Sequence, residues 1–464
     1  MARHHFVVLS FPGQGHVNPN LRLSHRLLRI GVVRVTFVTN TYARILLGPP
    51  NKHPEGLKFV DYNDGYDGKF KRGEEADQMI ARMKLAGSDA LRQVVSSAAD
   101  EGCPVTCVTY SLLLPWVAAV ARELQVQSAF VWIQAATMFD VYYYYNHGFD
   151  AFMHEKLDDK EPSATLKLPG LPLEFTSRDV PSYMLTKNSN TAAANGIFSD
   201  HMAELDVGAN TAIVIVNTFD ALEPEALKCI SKLKLTAVGP LIPPAFLHRE
   251  DPSDTSNNNN SSHVSWLDSK PDSSVIYVSF GSMKSVLSSQ QMEEIGRGLL
   301  DLGKPFLWVI RELENKSSDE KKNVMSCMEE LEQLGLMVPW CSQLQILSHP
   351  AIGCFFTHCG WNSTTEGLIS GVPMVAFPQL FDQFTNAKLV EDYWKVGVRV
   401  RVNQNLSDGL VERNEIKRCL ELAMGDVEMR QNAVKWKKLA VEAVKEGGSS
   451  DKNLTDLVNN LVTC

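Results

Sequence analysis

The sequence predicts an α/β protein of two doubly wound domains, each a parallel sheet wrapped by helices, and three observations predict it. The chain has 464 residues, and a single hydrophobic core rarely grows beyond roughly 250 to 300 residues, so one domain is too few. Short β-branched and apolar runs alternate with helix-patterned stretches, the rhythm of parallel strands joined by crossover helices. That rhythm breaks at LIPPAFLHREDPSDTSNNNNSSH, residues 241–263, and then restarts. The break is rich in Pro, Ser, Asn and Asp, as an exposed linker would be.

Taken in order, HFVVLSF at 5–11, VRVTFVT at 33–39 and PVTCVTY at 104–110 are predicted strands, with helices at 21–29 and 76–98 between them. After the linker the strands are SVIYVSF at 274–280, PFLWVI at 305–310, GLMVPW at 335–340, GCFFTH at 353–358 and VPMVAF at 372–377. The charged stretch RELENKSSDEKKN at 311–323 reads as a surface loop or the approach to a helix. The last sixty or so residues alternate apolar and charged positions with helical spacing. No short-period repeat is visible.

Bulk properties narrow the function. A formal charge of −9 without a Lys/Arg block argues against nucleic-acid binding. The N-terminus MARHHFVVLSF has too short an apolar run for a signal peptide, and the longest apolar stretch, 105–121, is broken by Thr106, Thr109, Ser111 and Pro115. A cytoplasmic protein with no stable membrane insertion is expected, and a monomer by default. Nine scattered cysteines with no CxxC pair suit a reducing compartment and oppose a disulfide framework or a zinc site. Sequons at Asn259, Asn260, Asn315, Asn362, Asn405 and Asn453 are read as chance, since nothing routes the chain to glycosylation.

The most informative segment is 340–383, WCSQLQILSHPAIGCFFTHCGWNSTTEGLISGVPMVAFPQLFDQ. Trp340 offers a flat face for a base. His358, Asn362 and Ser363 cluster around Gly360 just before a predicted helix, whose N-terminal N–H groups and dipole favour phosphate. Glu366, one turn further on, suits ribose hydroxyls. Asp382 and Gln383 suit vicinal sugar hydroxyls, the carboxylate accepting and the amide both donating and accepting. A bound nucleotide sugar would use all of them. A second cluster, FPGQGHVNP at 11–19, places His16 in a loop after the first strand, at the strand end where open α/β sheets bind ligands. A neutral imidazole there can act as general base.

Trp340, Gln343, HCGWNS at 358–363, Glu366, Pro373 and Asp382-Gln383 resemble the signature box of plant small-molecule (family 1) glycosyltransferases. Weaker echoes are FPGQGHVNP, VNTF at 216–219, VGPL at 238–241 and SVIYVSFGS at 274–282. The resemblance implies two Rossmann-like domains facing across a cleft, the GT-B type. It implies an acceptor-binding domain at 1–240, a linker at 241–263, a UDP-sugar domain at 264–445, and a final stretch, 446–464, whose helix packs back on the first domain. It implies inverting transfer from UDP-glucose, as co-substrate, to a hydroxyl or carboxyl of a small molecule, giving a β-glucoside or glucose ester. No cofactor or metal is expected, and no DxD triplet occurs. It assigns His16 as base and Ser282, Trp340, Cys341, Gln343, His358, Trp361, Asn362, Ser363, Glu366, Asp382 and Gln383 to the donor. Thr137 in QAATMFD would reach the sugar's 6-hydroxyl. Phe139 and Tyr142 belong to an aromatic run suited to flat phenolic acceptors, though such runs are more often core. QAATMFDVYYYY and YSLLLPW look most like the subgroup of anthocyanidin 5-O-glucosyltransferases and carboxylate glucosyltransferases.

One position departs from the family. Its base is usually oriented by an aspartate in a motif resembling YDSFLPW, whereas here YSLLLPW at 110–116 puts Ser111 there, and no acidic residue lies between Glu101 and Glu123. A serine can accept a hydrogen bond from imidazole but cannot balance its charge. The expectation is an acceptor that ionises readily, a carboxylate or an acidic phenol, unless Asp140 or another distant carboxylate supplies the relay. The lost aspartate also leaves a catalytically impaired UDP-sugar or phenolic-ligand binding protein as the alternative. A nicotinamide dehydrogenase fits poorly, because Gly13-Gln14-Gly15 has Asn18 where the third glycine belongs.

Overall fold

The computed structural model describes residues 4–461 except 33, 50–51, 67–75, 158–163, 182–183, 185–188, 209–211, 244–245, 247–260, 282–286, 312–324 and 403–408. It divides into two compact units: Met1–Ser177 with Ser182–Ile242 and Glu442–Cys464, and Arg178–Pro181 with Pro243–Val441.

The first unit carries β1 (His5–Leu9), β2 (Arg34–Asn40), β3 (Leu57–Tyr62), β4 (Cys107–Ser111), β5 (Gln127–Trp132), a small antiparallel pair β6 (Leu166–Lys167) and β7 (Glu174–Phe175), β8 (Ile213–Val216) and β9 (Leu235–Ala237). Seven of these form one parallel sheet in the order β3-β2-β1-β4-β5-β8-β9. In β1, His5-Phe-Val-Val-Leu9 is buried along its whole length, because a parallel sheet is covered on both faces. The strand order reverses between β1 and β4, where Leu9 lies opposite Tyr110. Ligands bind at such a switch point, outside the carboxyl ends of the strands.

The second unit repeats the plan with β10 (Val275–Ser279), β11 (Phe306–Val309), β12 (Leu336–Val338), β13 (Ile352–Thr357), β14 (Met374–Ala376) and β15 (Gly397–Arg399), all parallel in the order β12-β11-β10-β13-β14-β15. Its switch point lies between β10 and β13, where Ser279 faces Thr357. The core under this sheet includes Ile276, Val278, Trp308, Phe356 and Leu420. The helix Ser289–Leu302 is capped by the Ser288 hydroxyl on Gln291 N–H at 3.1 Å and ends on left-handed Gly303.

Two boundaries differ from the sequence reading. The second unit begins at Pro243 rather than at 264, and it takes in Arg178–Pro181. That short segment joins it because buried Asp179 pairs with Arg399 at 2.8 Å and its carbonyl accepts from the Thr385 hydroxyl at 2.7 Å. The first helix is also longer than expected. It runs Gln14–Arg29 through Pro19, with Gly13 in an extended conformation as its N-cap.

In the first unit the C-terminal helix Ser449–Asn460 is fastened to that helix and to the turn after β9. Buried Arg26, 6% exposed, donates Nη2 to the Ser450 carbonyl at 3.0 Å and Nη1 to that of Val238, and the Ser450 hydroxyl donates to the Gly239 carbonyl at 2.6 Å. Arg26→Ala strands two buried carbonyls and is expected to cost about 3 kcal/mol, typical of lost charge-assisted hydrogen bonds in an interior. The check is a lowered thermal midpoint with faster amide exchange at Leu454 and Val458.

Candidate functional site

In the second unit, β13 delivers the polar cluster to the switch point. After Thr357 the chain passes His358 and left-handed Cys359 to Gly360, which caps the helix Trp361–Ser370. The His358 ring is wedged between two glycines. A Cβ on either Gly281 or Gly360 would stand 2.6 Å from its Nε2, and Gly281 also has a φ of 86° that disfavours any side chain. Burial lowers the His358 pKa to about 4, so the imidazole is neutral and offers a hydrogen bond rather than a full charge. Ser363 is buried in the first turn of that helix, where the dipole and the N-terminal N–H groups favour an anion. Ser282 lies outside the described residues.

Trp340 follows β12 with 44% of its surface exposed, a flat face open to a base. Cys341 is different. Its buried thiol lies 3.5 Å from the Tyr277 hydroxyl and its pKa is pushed up to about 11 by burial, so the side chain is packing. The Gln343 amide nitrogen donates to Glu366 Oε2 at 2.7 Å and to Ser363 Oγ at 2.9 Å, while its oxygen accepts from Tyr277 at 3.3 Å. Its side chain is thus bound to its neighbours. Trp361 is 3% exposed and packs against Trp394, ring centroids 6.0 Å apart. The indole, expected in the donor set, thus fills the core at the start of a buried helix.

The Trp361 backbone N–H donates to Asp382. The Asp382 carboxylate also accepts from Asn386 Nδ2 at 2.8 Å, and burial raises its pKa to about 6 against these hydrogen bonds. Gln383 Oε1 accepts from the N–H groups of Gln379 at 2.8 Å and Leu380 at 2.9 Å. This corrects the reading of Gln383 as both donor and acceptor. With its oxygen committed to backbone, the Gln383 amide has only N–H left to offer a ligand, whereas an ionised Asp382 could only accept.

In the first unit, His16 is the third residue of the helix Gln14–Arg29 rather than a loop residue, since His16 and Val17 N–H both reach the Gly13 carbonyl at 2.9 Å. The ring leans on Phe11, centroids 5.0 Å apart, and its pKa is lowered to about 4 by desolvation, partly offset by the Leu112 carbonyl beside it. The helix N-terminus also disfavours an imidazolium. Ser111 ends β4, but its hydroxyl accepts from Phe11 N–H at 3.2 Å and donates to the Leu112 carbonyl at 3.4 Å. It braces two strand ends, and among the described residues no hydrogen bond joins it to the imidazole. Left-handed Leu113 follows, its N–H held by Nε2 of buried His201 at 3.2 Å.

Asp140 does not supply the relay. It is buried beside Glu223 and Cys229; desolvation and the Glu223 charge raise its pKa against a hydrogen bond with Cys229, and among the described residues no carboxylate shifts His16. Thr137 donates its N–H and its hydroxyl to Glu223 Oε1, each at 2.9 Å, so that hydroxyl can only accept from a ligand. Phe139 and Tyr142 are corrected to core. Phe139 meets Trp132 edge-on at 5.3 Å and Tyr142 stacks on Phe198 at 3.8 Å, both almost fully buried. Sequence reasoning missed Tyr277 and Asn386. Tyr277 stood in the quoted SVIYVSFGS, two residues before Ser279 and so on the same face of the strand. Asn386 is one turn after Asp382.

Residues 253–439 match the family described as UDP-glucoronosyl and UDP-glucosyl transferase. The phloretin 4′-O-glucosyltransferase of Malus domestica is 49% identical over 480 residues, covering 99% of this chain and 98% of its own. The chloroplastic crocetin glucosyltransferase of Gardenia jasminoides is 47% identical over 468 residues, covering 98% and 97%. Among solved structures, Os79 from O. sativa in complex with U2F and trichothecene superposes with a TM-score of 0.80 at 30% identity, over 98% of this chain and 100% of that one.

Proposed function

The chain belongs to the plant family 1 UDP-dependent glycosyltransferases, and from that premise we propose that its acceptors are small molecules bearing an acidic phenol or a carboxyl group. It is a UDP-glucose-dependent enzyme of GT-B fold. In the proposed reaction the acceptor oxygen attacks the anomeric carbon as the bond to UDP breaks, inverting the centre and giving a β-glucoside or glucose ester. Asp382 accepts from and Gln383 donates to the sugar hydroxyls, and Thr137 accepts from another. Trp340 stacks on the base. His358 and the start of the helix Trp361–Ser370, with Asn362 and Ser363, stabilise the departing diphosphate, the charge that grows most in the transition state.

The observation that carries the acceptor class is the surroundings of His16. Its pKa near 4, with no carboxylate among the described residues to balance an imidazolium and Ser111 committed to backbone, makes it a weak base. A weak base serves best where the acceptor's proton is already loose or gone. Relatives named for phloretin, a phenol, and crocetin, a dicarboxylic acid, support both halves of this reading. Among the described residues no helix is long and apolar enough to cross a membrane, and the eight described cysteines are all unpaired thiols, which supports a cytoplasmic site of action.

The test is product formation from UDP-glucose with a panel of phenols, aromatic carboxylates and aliphatic alcohols. Phenols and carboxylates should turn over faster than aliphatic alcohols. The reverse order would sink the acceptor assignment, and tight UDP-glucose binding without any glucoside would return the reading to a binding protein.

A further inference from the structure

Beneath the residues assigned to the nucleotide lies a tyrosine buried in the sheet. Tyr277 is the third residue of β10 and only 1% exposed, its ring stacked on Phe355 with centroids 5.0 Å apart. Its hydroxyl donates to Gln343 Oε1 at 3.3 Å and lies 3.5 Å from the Cys341 thiol. The other end of that amide meets Glu366 Oε2 at 2.7 Å and Ser363 Oγ at 2.9 Å. The two ends fix each other. A nitrogen must face the carboxylate, so the oxygen must face the sheet, where the phenol supplies a proton.

We propose that Tyr277 is a positioning residue for the donor's ribose, holding Gln343 so that the Glu366 carboxylate is set in one orientation for the ribose hydroxyls. The proposal rests on the donor-site reading above. Without the phenol hydroxyl the amide oxygen loses its proton donor in a buried place, and the amide can turn over. Turned over, it presents an oxygen to the Glu366 carboxylate and pushes it away. The base and the sugar have their own partners in Trp340 and the Asp382-Gln383 pair, and the Ser363 hydroxyl, which can donate as well as accept, can meet either end of the amide, so the effect falls on the ribose.

Tyr277→Phe keeps the stack on Phe355 and removes only the hydroxyl. Calorimetry with UDP and with 2′-deoxy-UDP reads the consequence. The wild-type protein should prefer UDP. The variant should lose about tenfold in UDP affinity, the scale of one unmade buried hydrogen bond, with 2′-deoxy-UDP affinity nearly unchanged. In turnover, KM for UDP-glucose should rise with kcat little altered. An equal loss on both nucleotides, or no loss on either, would overturn the assignment. Should Tyr277→Phe fail to fold, Gln343→Leu cuts the same link from its other end and must likewise erase the preference for UDP; retention of that preference would overturn the proposal. Wild-type protein that does not bind UDP overturns the donor-site reading itself, a result distinct from any change confined to the variants.

Discussion

Replacing His16 with alanine should lower glucosyl transfer to a phenol by roughly 10²- to 10⁴-fold, the span that a positioned general base contributes, while leaving UDP affinity unaltered. The unaltered affinity follows from the fold: His16 belongs to the first unit, and the residues assigned to the nucleotide belong to the second. The loss should shrink for a carboxylate acceptor, which arrives without a proton to remove. That graded response is the informative part. A uniform loss across acceptors would mean that the ring does something other than take a proton, such as filling the space beside Phe11. An imidazole with a pKa near 4 also stays competent well below neutral pH, so the alanine variant should lose activity by a similar factor at pH 5 and at pH 7.

The parts of this arrangement that were legible in the sequence share a physical property: they are written in contiguous residues. β1, β4, β10, β13 and β14 show as apolar runs because both faces of a parallel sheet are covered. β3 does not, since it is an edge strand with Lys58 and Asp61 along it and most of its residues partly exposed. The donor cluster was legible because a strand, a turn and a helix N-terminus follow one another from 352 to 370. What stayed hidden depends on partners distant in sequence. Ser111 was recognisable as a departure, yet its commitment to Phe11 N–H, one hundred residues away, could not be read from the motif. The aromatic run of Phe139 and Tyr142 to Tyr145 has no polar face to declare which side is core, since Asp140 within it is itself buried, and Trp132 and Phe198 settle it for Phe139 and Tyr142. Gln383 looked bifunctional until the backbone of Gln379 and Leu380 took its oxygen.

Asp382 gives the second large effect, and it separates the clamp from the base. An ionised carboxylate accepts strongly from sugar hydroxyls, whereas a protonated one accepts only weakly through its carbonyl oxygen and turns an O–H toward the ligand; burial places this one near 6 while His16 and His358 sit near 4. Between those values the base is ready and the clamp is not. kcat/KM for UDP-glucose should therefore fall about tenfold per pH unit below 6, whereas kcat at saturating donor falls later, because the bound sugar stabilises the ionised form. Asp382→Asn should remove this limb, leaving kcat/KM flat from pH 7 to about 4.5 at a level lower by roughly 10- to 100-fold, the scale of a lost charge-assisted hydrogen bond. Stability should move oppositely. A folded pKa near 6 lies above the unfolded value, so the folded state holds the proton more tightly, and its stabilising contribution, complete below about pH 4, is lost as pH rises through 6. At neutral pH the ionised, buried carboxylate then costs up to roughly 3 kcal/mol, which asparagine avoids while retaining an oxygen for Asn386 and Trp361. The variant should thus melt higher than the parent at pH 7 and at the same temperature at pH 4. An unchanged acid limb in Asp382→Asn would assign that limb to another group, and a lower melting point at pH 7 would show that the charge is compensated.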